Sequence, residues 1–227
     1  MKIGVFGTSV VGQAISGKLA ELGHDVMVGT RDVAKTEANT EPHPYGFPAF
    51  SVWKKDHANV KLGTFAEAAK HGEVVFNATN GTSSLAALNL ASEANLNGKI
   101  LVDIANPLDF SKGNPPSLSV SNTDSLGEQI QRTYPNVKVV KTLNTVTAFL
   151  MVNPGLVANG DHTMFICGND AAAKLQVTEW LKEWFGWQDV IDLGDITSAR
   201  GTEMYLPIWL RIWGALGTGM FNVKIMK

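Results

Sequence analysis

Residues 2–31 read KIGVFGTSVVGQAISGKLAELGHDVMVGTR, and this stretch decides the fold. Lys2–Phe6 is a short apolar run of the kind a buried strand uses, and Gly7 opens a turn after it. Val11, Ile15, Leu19 and Leu22 then recur at helical spacing, with Gln13, Lys18 and Glu21 on other faces, until Gly23 stops the helix. Asp25–Gly29 forms a second strand, so the segment is one βαβ unit. Gly7-Thr8-Ser9-Val10-Val11-Gly12 lies where strand becomes helix, where unpaired N–H groups and the positive end of the macrodipole receive a pyrophosphate. Gly7 permits the tight turn and Gly12 a close helix–strand approach. Ser9 stands where the usual G-x-G-x-x-G has its middle glycine, and its hydroxyl can donate to a phosphate instead.

The exit of the second strand selects the dinucleotide. A free ribose 2′-hydroxyl usually meets Asp or Glu here, about 20 residues after the first glycine. This chain has Gly29-Thr30-Arg31, with Lys35 one turn on. A guanidinium fork and an ammonium suit a 2′-phosphate, which favours NADP(H) over NAD(H) and argues against S-adenosylmethionine.

Beyond residue 31 the chain alternates short apolar runs with helical windows. Strands are expected at Val74–Phe76, Ile100–Val102, Val137–Val140, Thr163–Cys167 and Val190–Leu193. Helices are expected at Phe65–Lys70, Leu85–Asn95, Leu126–Tyr134, Ala171–Phe185 and about Ser198–Leu216. The Pro-rich segment Glu41–Phe50, in a wider 41–59 insertion, and the segment Asp109–Asn122 read as surface loops. The expected fold is α/β: a doubly wound parallel Rossmann sheet over 1–147, with a small C-terminal α/β extension over 148–227.

Composition narrows the function classes. The chain has 227 residues, 44% hydrophobic and 18% charged, with net charge −2, which suits a globular domain and gives no reason to expect nucleic acid or an anionic membrane. Cys167 is the single cysteine, so neither an intrachain disulfide nor a cysteine zinc site can form, and a reducing, cytoplasmic setting is expected. The most apolar late stretch, Leu206–Phe221, contains Arg211 and falls short of the roughly 20 residues a spanning helix needs. His24, His43, His57, His71 and His162 are scattered, with no nucleophile elbow and no metal ligand set; none is expected to be catalytic.

In such a sheet the ligand lies across the carboxyl ends of the strands. Those ends carry Asn77-Ala78-Thr79-Asn80-Gly81, Asp103-Ile104-Ala105-Asn106-Pro107-Leu108 and Lys141-Thr142-Leu143-Asn144-Thr145. These small and polar residues are what a groove for a flat ring and its carboxamide uses, although asparagines are also common turn residues. With the Gly7–Gly12 loop, His24–Arg31, Val102–Leu108, Val140–Thr145, Cys167-Gly168-Asn169-Asp170, and Ser198-Ala199-Arg200 followed by Glu203 and Pro207, the chain resembles the deazaflavin-dependent NADP reductases, the coenzyme F420:NADP oxidoreductases. The cytosolic domain of the six-transmembrane metalloreductases is of the same type. The resemblance covers nearly the whole chain outside 41–59 and 109–123.

That resemblance implies that Thr8, Ser9, Val10 and Val11 line the pyrophosphate and that Thr30, Arg31 and Lys35 hold the 2′-phosphate. It implies that Ala78, Asn106 and Ala148 lie beside the nicotinamide, and that the protein is a homodimer. The chain departs from the family at Ser9 and at Ala78-Thr79-Asn80, where an Ile-Pro-aromatic is frequent. Candidate cofactor-binding residues are therefore Gly7, Thr8, Ser9, Val10, Val11, Gly12, Thr30, Arg31, Lys35, Ala78, Thr79, Asn80, Ala105, Asn106, Pro107, Asn144 and Ala148. The expected reaction is hydride transfer between NADP(H) and a deazaflavin or flavin, two stacked rings that need no nucleophile. Reduction of a ferric chelate or free flavin, and a non-catalytic NADP(H) sensor, stand as alternatives. Trp209 and Trp213, four apart on the last helix, read as core or as a dimer face; Tyr45, Phe47 and Trp53 read as a lid or as a loop packed on itself.

Overall fold

The computed structural model describes residues 1–43 and 46–226. β1 (Lys2–Phe6), α1 (Val10–Glu21) and β2 (Asp25–Thr30) form the opening unit. Then come α2 (Val33–Ala38), α3 (Phe50–Trp53), β3 (Lys61–Thr64), α4 (Phe65–His71), β4 (Val74–Asn77), α5 (Gly81–Ala91), α6 (Glu93–Leu96) and β5 (Ile100–Asp103). A small hairpin, β6 (Leu108–Asp109) and β7 (Ser117–Leu118), interrupts the segment read as a plain loop. The chain continues through α7 (Leu126–Thr133), β8 (Lys138–Thr142), α8 (Ala148–Val152), β9 (Thr163–Gly168), α9 (Ala171–Glu183), β10 (Asp189–Asp192), α10 (Ala199–Met204) and α11 (Leu206–Leu216).

One eight-stranded sheet has the order β10-β9-β8-β5-β4-β1-β2-β3. Its strands carry continuous apolar runs because both faces are covered. Val5, Phe76, Val102 and Val140 face a core with Ile15 and Leu19 of α1, Leu150 of α8 and Val177 of α9. Their neighbours Phe6, Val75, Leu101 and Val139 face the opposite core with Phe65, Leu88, Ile130 and Ala199. The strand order reverses between β1 and β4, which opens a crevice where the phosphate loop and residues 78–80 emerge.

The sheet is doubly wound and mostly parallel, as expected, with one reversal in the C-terminal extension. β9 runs antiparallel to β8, and β10 follows β9 in parallel. The only α-helix between β8 and β9 is the five-residue α8, which reaches about 8 Å at 1.5 Å per residue. β9 starts at the sheet edge where β8 ends, with Val140 paired to Gly168 and Thr142 to Ile166. α9, with 13 residues, is long enough for the crossover to β10.

Other differences are local. β3 is Lys-Leu-Gly-Thr, an edge strand with one large apolar residue, and gives no period-2 signal. The final helical window divides at Tyr205 because Pro207 fits only a first helical turn.

Candidate functional site

The phosphate loop is shaped by backbone approach. Gly7 has φ +112°, and a Cβ there would stand 2.5 Å from the Ala78 carbonyl oxygen. A Cβ on Gly12 would stand 2.0 Å from the Gly7 carbonyl oxygen, so only hydrogen fits. Ser9 is the N-cap of α1, yet its exposed hydroxyl makes no capping bond. The first-turn N–H groups lack intrahelical acceptors, and the hydroxyl stands beside them at the positive end of the helix. Gln13, which is buried, donates at 3.0 Å to both the Thr8 and the Pro48 carbonyls. It thereby fastens the Pro-rich segment to the phosphate loop.

At the exit of β2, Thr30 is buried and its hydroxyl lies 2.8 Å from that of Thr36. Arg31 and Lys35 are exposed and make no ion pair among the described residues. The acid between them, Asp32, is engaged as the N-cap of α2, accepting from the Lys35 backbone N–H at 2.9 Å. Two cations therefore face solvent without a local carboxylate partner.

The opposite side of the crevice is braced from within. Asn77, Asp103, Lys141 and Cys167 occupy one register row across β4, β5, β8 and β9. The Asn77 amide donates to Asp103 at 2.8 Å. The Lys141 ammonium, fully buried, contacts Asp103 at 2.8 Å and Glu203 at 2.9 Å, and also donates to the Ala105 carbonyl. Burial opposes charge on Lys141, but the two carboxylates outweigh it and hold the ammonium above its ordinary pKa. Glu203 reaches across from α10 to accept the Leu126 and Gly127 N–H groups, at 2.8 and 3.0 Å, at the N-terminus of α7. Burial pushes the Cys167 thiol up to about 12.

This row holds the loops that line the crevice. Asn77 accepts from the Thr79 hydroxyl at 2.7 Å, and Asp103 from the Ala105 N–H at 3.3 Å. Asn106 and Asn144 bond each other, the Asn106 amide giving to the Asn144 carbonyl at 2.8 Å and the Asn144 amide to the Asn106 side chain at 2.9 Å. Asn80 caps α5. A Cβ on Gly81 would lie 2.0 Å from the Asn106 carbonyl oxygen, which fixes how closely α5 meets the β5 loop.

Two clefts meet over these loops. The smaller, ≈780 Å³, is lined by Gly7, Thr8, Thr30, Arg31 and Lys35. The larger, ≈1120 Å³, is lined by Val11, Ala105, Asn106, Asn144 and Ala148. Ser9, Val10, Ala78, Thr79, Asn80, His43 and Phe47 line both. Gly12 and Pro107 line neither: Gly12 serves helix packing, and Pro107 lies against Gly81.

Several of these placements were not legible in the sequence. Trp209 and Trp213 form a wall of the larger cleft with Leu206, Phe149 and Met151. Trp209 is at once buried and cleft-facing, stacked on Phe221 at 5.4 Å. Of the lid candidates, Phe47 lines the cleft and lies 5.8 Å from Phe149. Trp53 instead stacks on His57 at 3.9 Å, against Gly17 of α1, and Tyr45 lies outside the described residues. His43, read as a loop residue, borders both clefts. His24 packs at a tilt against Trp184, His71 bonds the Asp25 carbonyl, and buried His162 bonds Pro154 and Asn222. Among the described residues no group of three or more His, Cys, Asp and Glu side chains is placed to hold a metal, and no helix is long and apolar enough to cross a membrane.

Comparisons with known proteins bear on the fold and the family. A profile of the family described as NADP oxidoreductase, coenzyme F420-dependent, matches residues 2–107. The 1.70 Å crystal structure of a candidate F420-dependent NADP reductase from Arthrobacter sp. FB24 is 60% identical and superposes with TM-score 0.96 over 100% of both chains. The F420-dependent NADP reductase of Methanothermobacter marburgensis is 26% identical over 216 residues, covering 93% of this chain and 92% of that one. Metalloreductase STEAP3 of Rattus norvegicus is 27% identical over 225 residues, covering 97% of this chain; the chain spans only 40% of that protein's length.

Proposed function

The chain belongs to the coenzyme F420-dependent NADP oxidoreductase family, and from that premise we propose that it passes a hydride between NADP(H) and a deazaflavin of the coenzyme F420 type. It is an NADP-dependent oxidoreductase; the acceptor and the residue roles are our reading. The observation that carries it is the meeting of two unlike clefts at the N-terminus of α1, one holding Arg31 and Lys35, which make no ion pair among the described residues, and the other with aromatic walls.

The residues fit the dinucleotide. Gly7 and Gly12 leave a cradle that a Cβ would fill, and the first-turn N–H groups of α1 with Ser9 would take the pyrophosphate. Arg31 and Lys35 would grip the 2′-phosphate above Thr30. Ala78, Asn106 and Ala148 would border the nicotinamide, on loops held by the Asn77–Asp103–Lys141 row. Residues 1–147 would thus carry the dinucleotide, and 148–227 would close the ring end. When bound, NADPH supplies a hydride from nicotinamide C4, which the site must hold roughly 3–3.5 Å from the accepting atom with water excluded. Hydride transfer between rings asks no proton of the cleft walls, and no Asp, Glu or Lys lines the larger cleft among the described residues. The outer face of α11, with Ile208 52% and Leu216 59% exposed, would pack on a second copy.

Steady-state NADPH oxidation by the purified chain tests this, with coenzyme F420, FMN and a ferric chelate offered in turn. Turnover with F420 well above the others is the expected result. Preference for the chelate would replace the acceptor, and tight NADPH binding without any turnover would make the chain a sensor.

A further inference from the structure

Fixed charge is distributed unevenly over the two clefts. Arg31, Asp32, Lys35 and Glu41 lie on the smaller one. On the larger, Arg211 is the only Arg, Lys, Asp or Glu among the described lining residues. It is exposed, and it makes no ion pair or hydrogen bond among the described residues. Arg211 sits on α11 two residues before Trp213, on the helix whose Leu206, Trp209 and Leu210 also face the cleft.

The dinucleotide gives this charge no work on our reading. Its pyrophosphate faces α1 and its 2′-phosphate faces Arg31 and Lys35, all on the smaller cleft, from whose lining Arg211 is absent. A neutral flat ring would be served by Phe47, Phe149, Trp209 and Trp213 alone, through stacking and apolar contact. A guanidinium at the margin of an aromatic wall adds something different: a planar fork for a phosphate or carboxylate carried by whatever stacks there.

We infer that Arg211 is a specificity-determining residue that receives an anionic group on the side chain of the hydride partner, so that the larger cleft selects a flat tricyclic ring bearing a phosphoryl or carboxylate tail over the same ring without one. The inference rests on the proposed ring-to-ring hydride transfer and names the chemistry of its second ring. It says nothing of the reacting atoms: Arg211 acts on the tail, and its effect belongs in the KM of the partner rather than in kcat.

Matched probes isolate the tail. FMN against riboflavin, and 5-deaza-FMN against 5-deazariboflavin, differ only in a phosphate. The wild-type chain should favour the phosphorylated member of a pair by roughly tenfold in kcat/KM at low salt, with the preference shrinking as ionic strength screens it. Arg211→Gln should erase the preference by raising the KM of the phosphorylated member, leaving kcat, riboflavin-level turnover and NADPH affinity in place. Arg211→Lys should keep part of it, because a point charge replaces the fork. Equal kcat/KM within both pairs for wild type, or an undiminished preference in Arg211→Gln, overturns the inference while leaving the proposed reaction standing. So does a rise in NADPH Kd, which would put Arg211 on the dinucleotide. A change in oligomer mass with equal losses for both members of a pair would make it an interface residue instead. Absence of turnover with every ring overturns both this inference and the reading beneath it.

Discussion

The two ends of the crevice are built on opposite electrostatic plans. At the proposed adenosine end, Arg31 and Lys35 lie in solvent, a few residues apart in sequence, with no ion pair among the described residues. At the ring end, Arg211 at the cleft margin apart, the fixed charges of Lys141, Asp103 and Glu203 are buried and already satisfied by one another, and only their effects reach the cleft, through Thr79 and Ala105. Exposed charge waits for a ligand and is screened by salt; buried charge is committed to position and is not. On the proposed reading, cofactor choice lives at one end, and the geometry of the reacting rings at the other.

The sharpest break of that contrast is Lys141→Met. It leaves two carboxylates buried without their cation, a loss worth about 3–5 kcal/mol. In a chain of this size the melting temperature should fall by roughly 10 °C, at 2–4 °C per kcal/mol. Differential scanning calorimetry would read it, with Arg31→Ala as the surface control that keeps the wild-type melting temperature. If Lys141→Met melted within a degree or two of wild type, the row would not be the brace described. Arg31→Ala in turn should weaken NADPH binding about ten- to hundredfold, the loss of a charge-assisted bond worth roughly 1.5–3 kcal/mol, while NADH binding stays put. Equal losses for both nucleotides in a titration would remove the 2′-phosphate assignment.

The adenosine end was legible in the sequence because it is local. Strand, glycine turn, helix and the Arg31 exit lie within 30 residues, each with a short-range steric or electrostatic reason. The buried brace of the ring end draws on residues up to 126 apart in the chain, Asn77 and Glu203, and no periodicity announces such convergence. Asp103 and Lys141 read as strand-end residues of the groove and Glu203 as part of a resemblance, none of them as members of a buried ion-pair row. Trp209 and Trp213 read first as a core helix and second as a dimer face, since helical spacing says which residues share a face and not what that face meets. The reversed β9 was hidden for a related reason: an apolar run marks a strand but not its direction. Gln13, read only as lying off the apolar face of its helix, gave no sign of its two carbonyl partners.

Gln13 joins the two ends, and its removal should sharpen the comparison by a smaller amount. Gln13→Ala frees the Thr8 and Pro48 carbonyls and releases the segment that carries His43 and Phe47 over both clefts. A loss of about 1 kcal/mol in NADPH affinity is expected, felt as a few-fold faster dissociation in stopped flow. NADPH and NADH should be affected alike, since no charge is removed. A change in the ratio of the two would move Gln13 into the 2′-phosphate site.

The smallest effect is expected at Cys167, where the buried row ends. Lys141, its register partner on β8, favours the thiolate, but burial dominates and pushes the thiol up from the usual 9 to about 12. The sign follows from the neutral form being favoured in the fold: any stability gained is present below the unfolded thiol pKa and is lost as pH climbs from about 9 toward 12. At pH 8 the folded chain holds almost no thiolate, so iodoacetamide should leave it untouched for hours and label it only on unfolding. Labelling rate therefore reports opening of the ring end. It should be unchanged by Arg31→Ala and faster in Lys141→Met, where the row has lost its cation. Rapid labelling of the wild-type fold at pH 8 would mean that the row is open to solvent, and the division between an exposed charged end and a sealed one would fail at the sealed end.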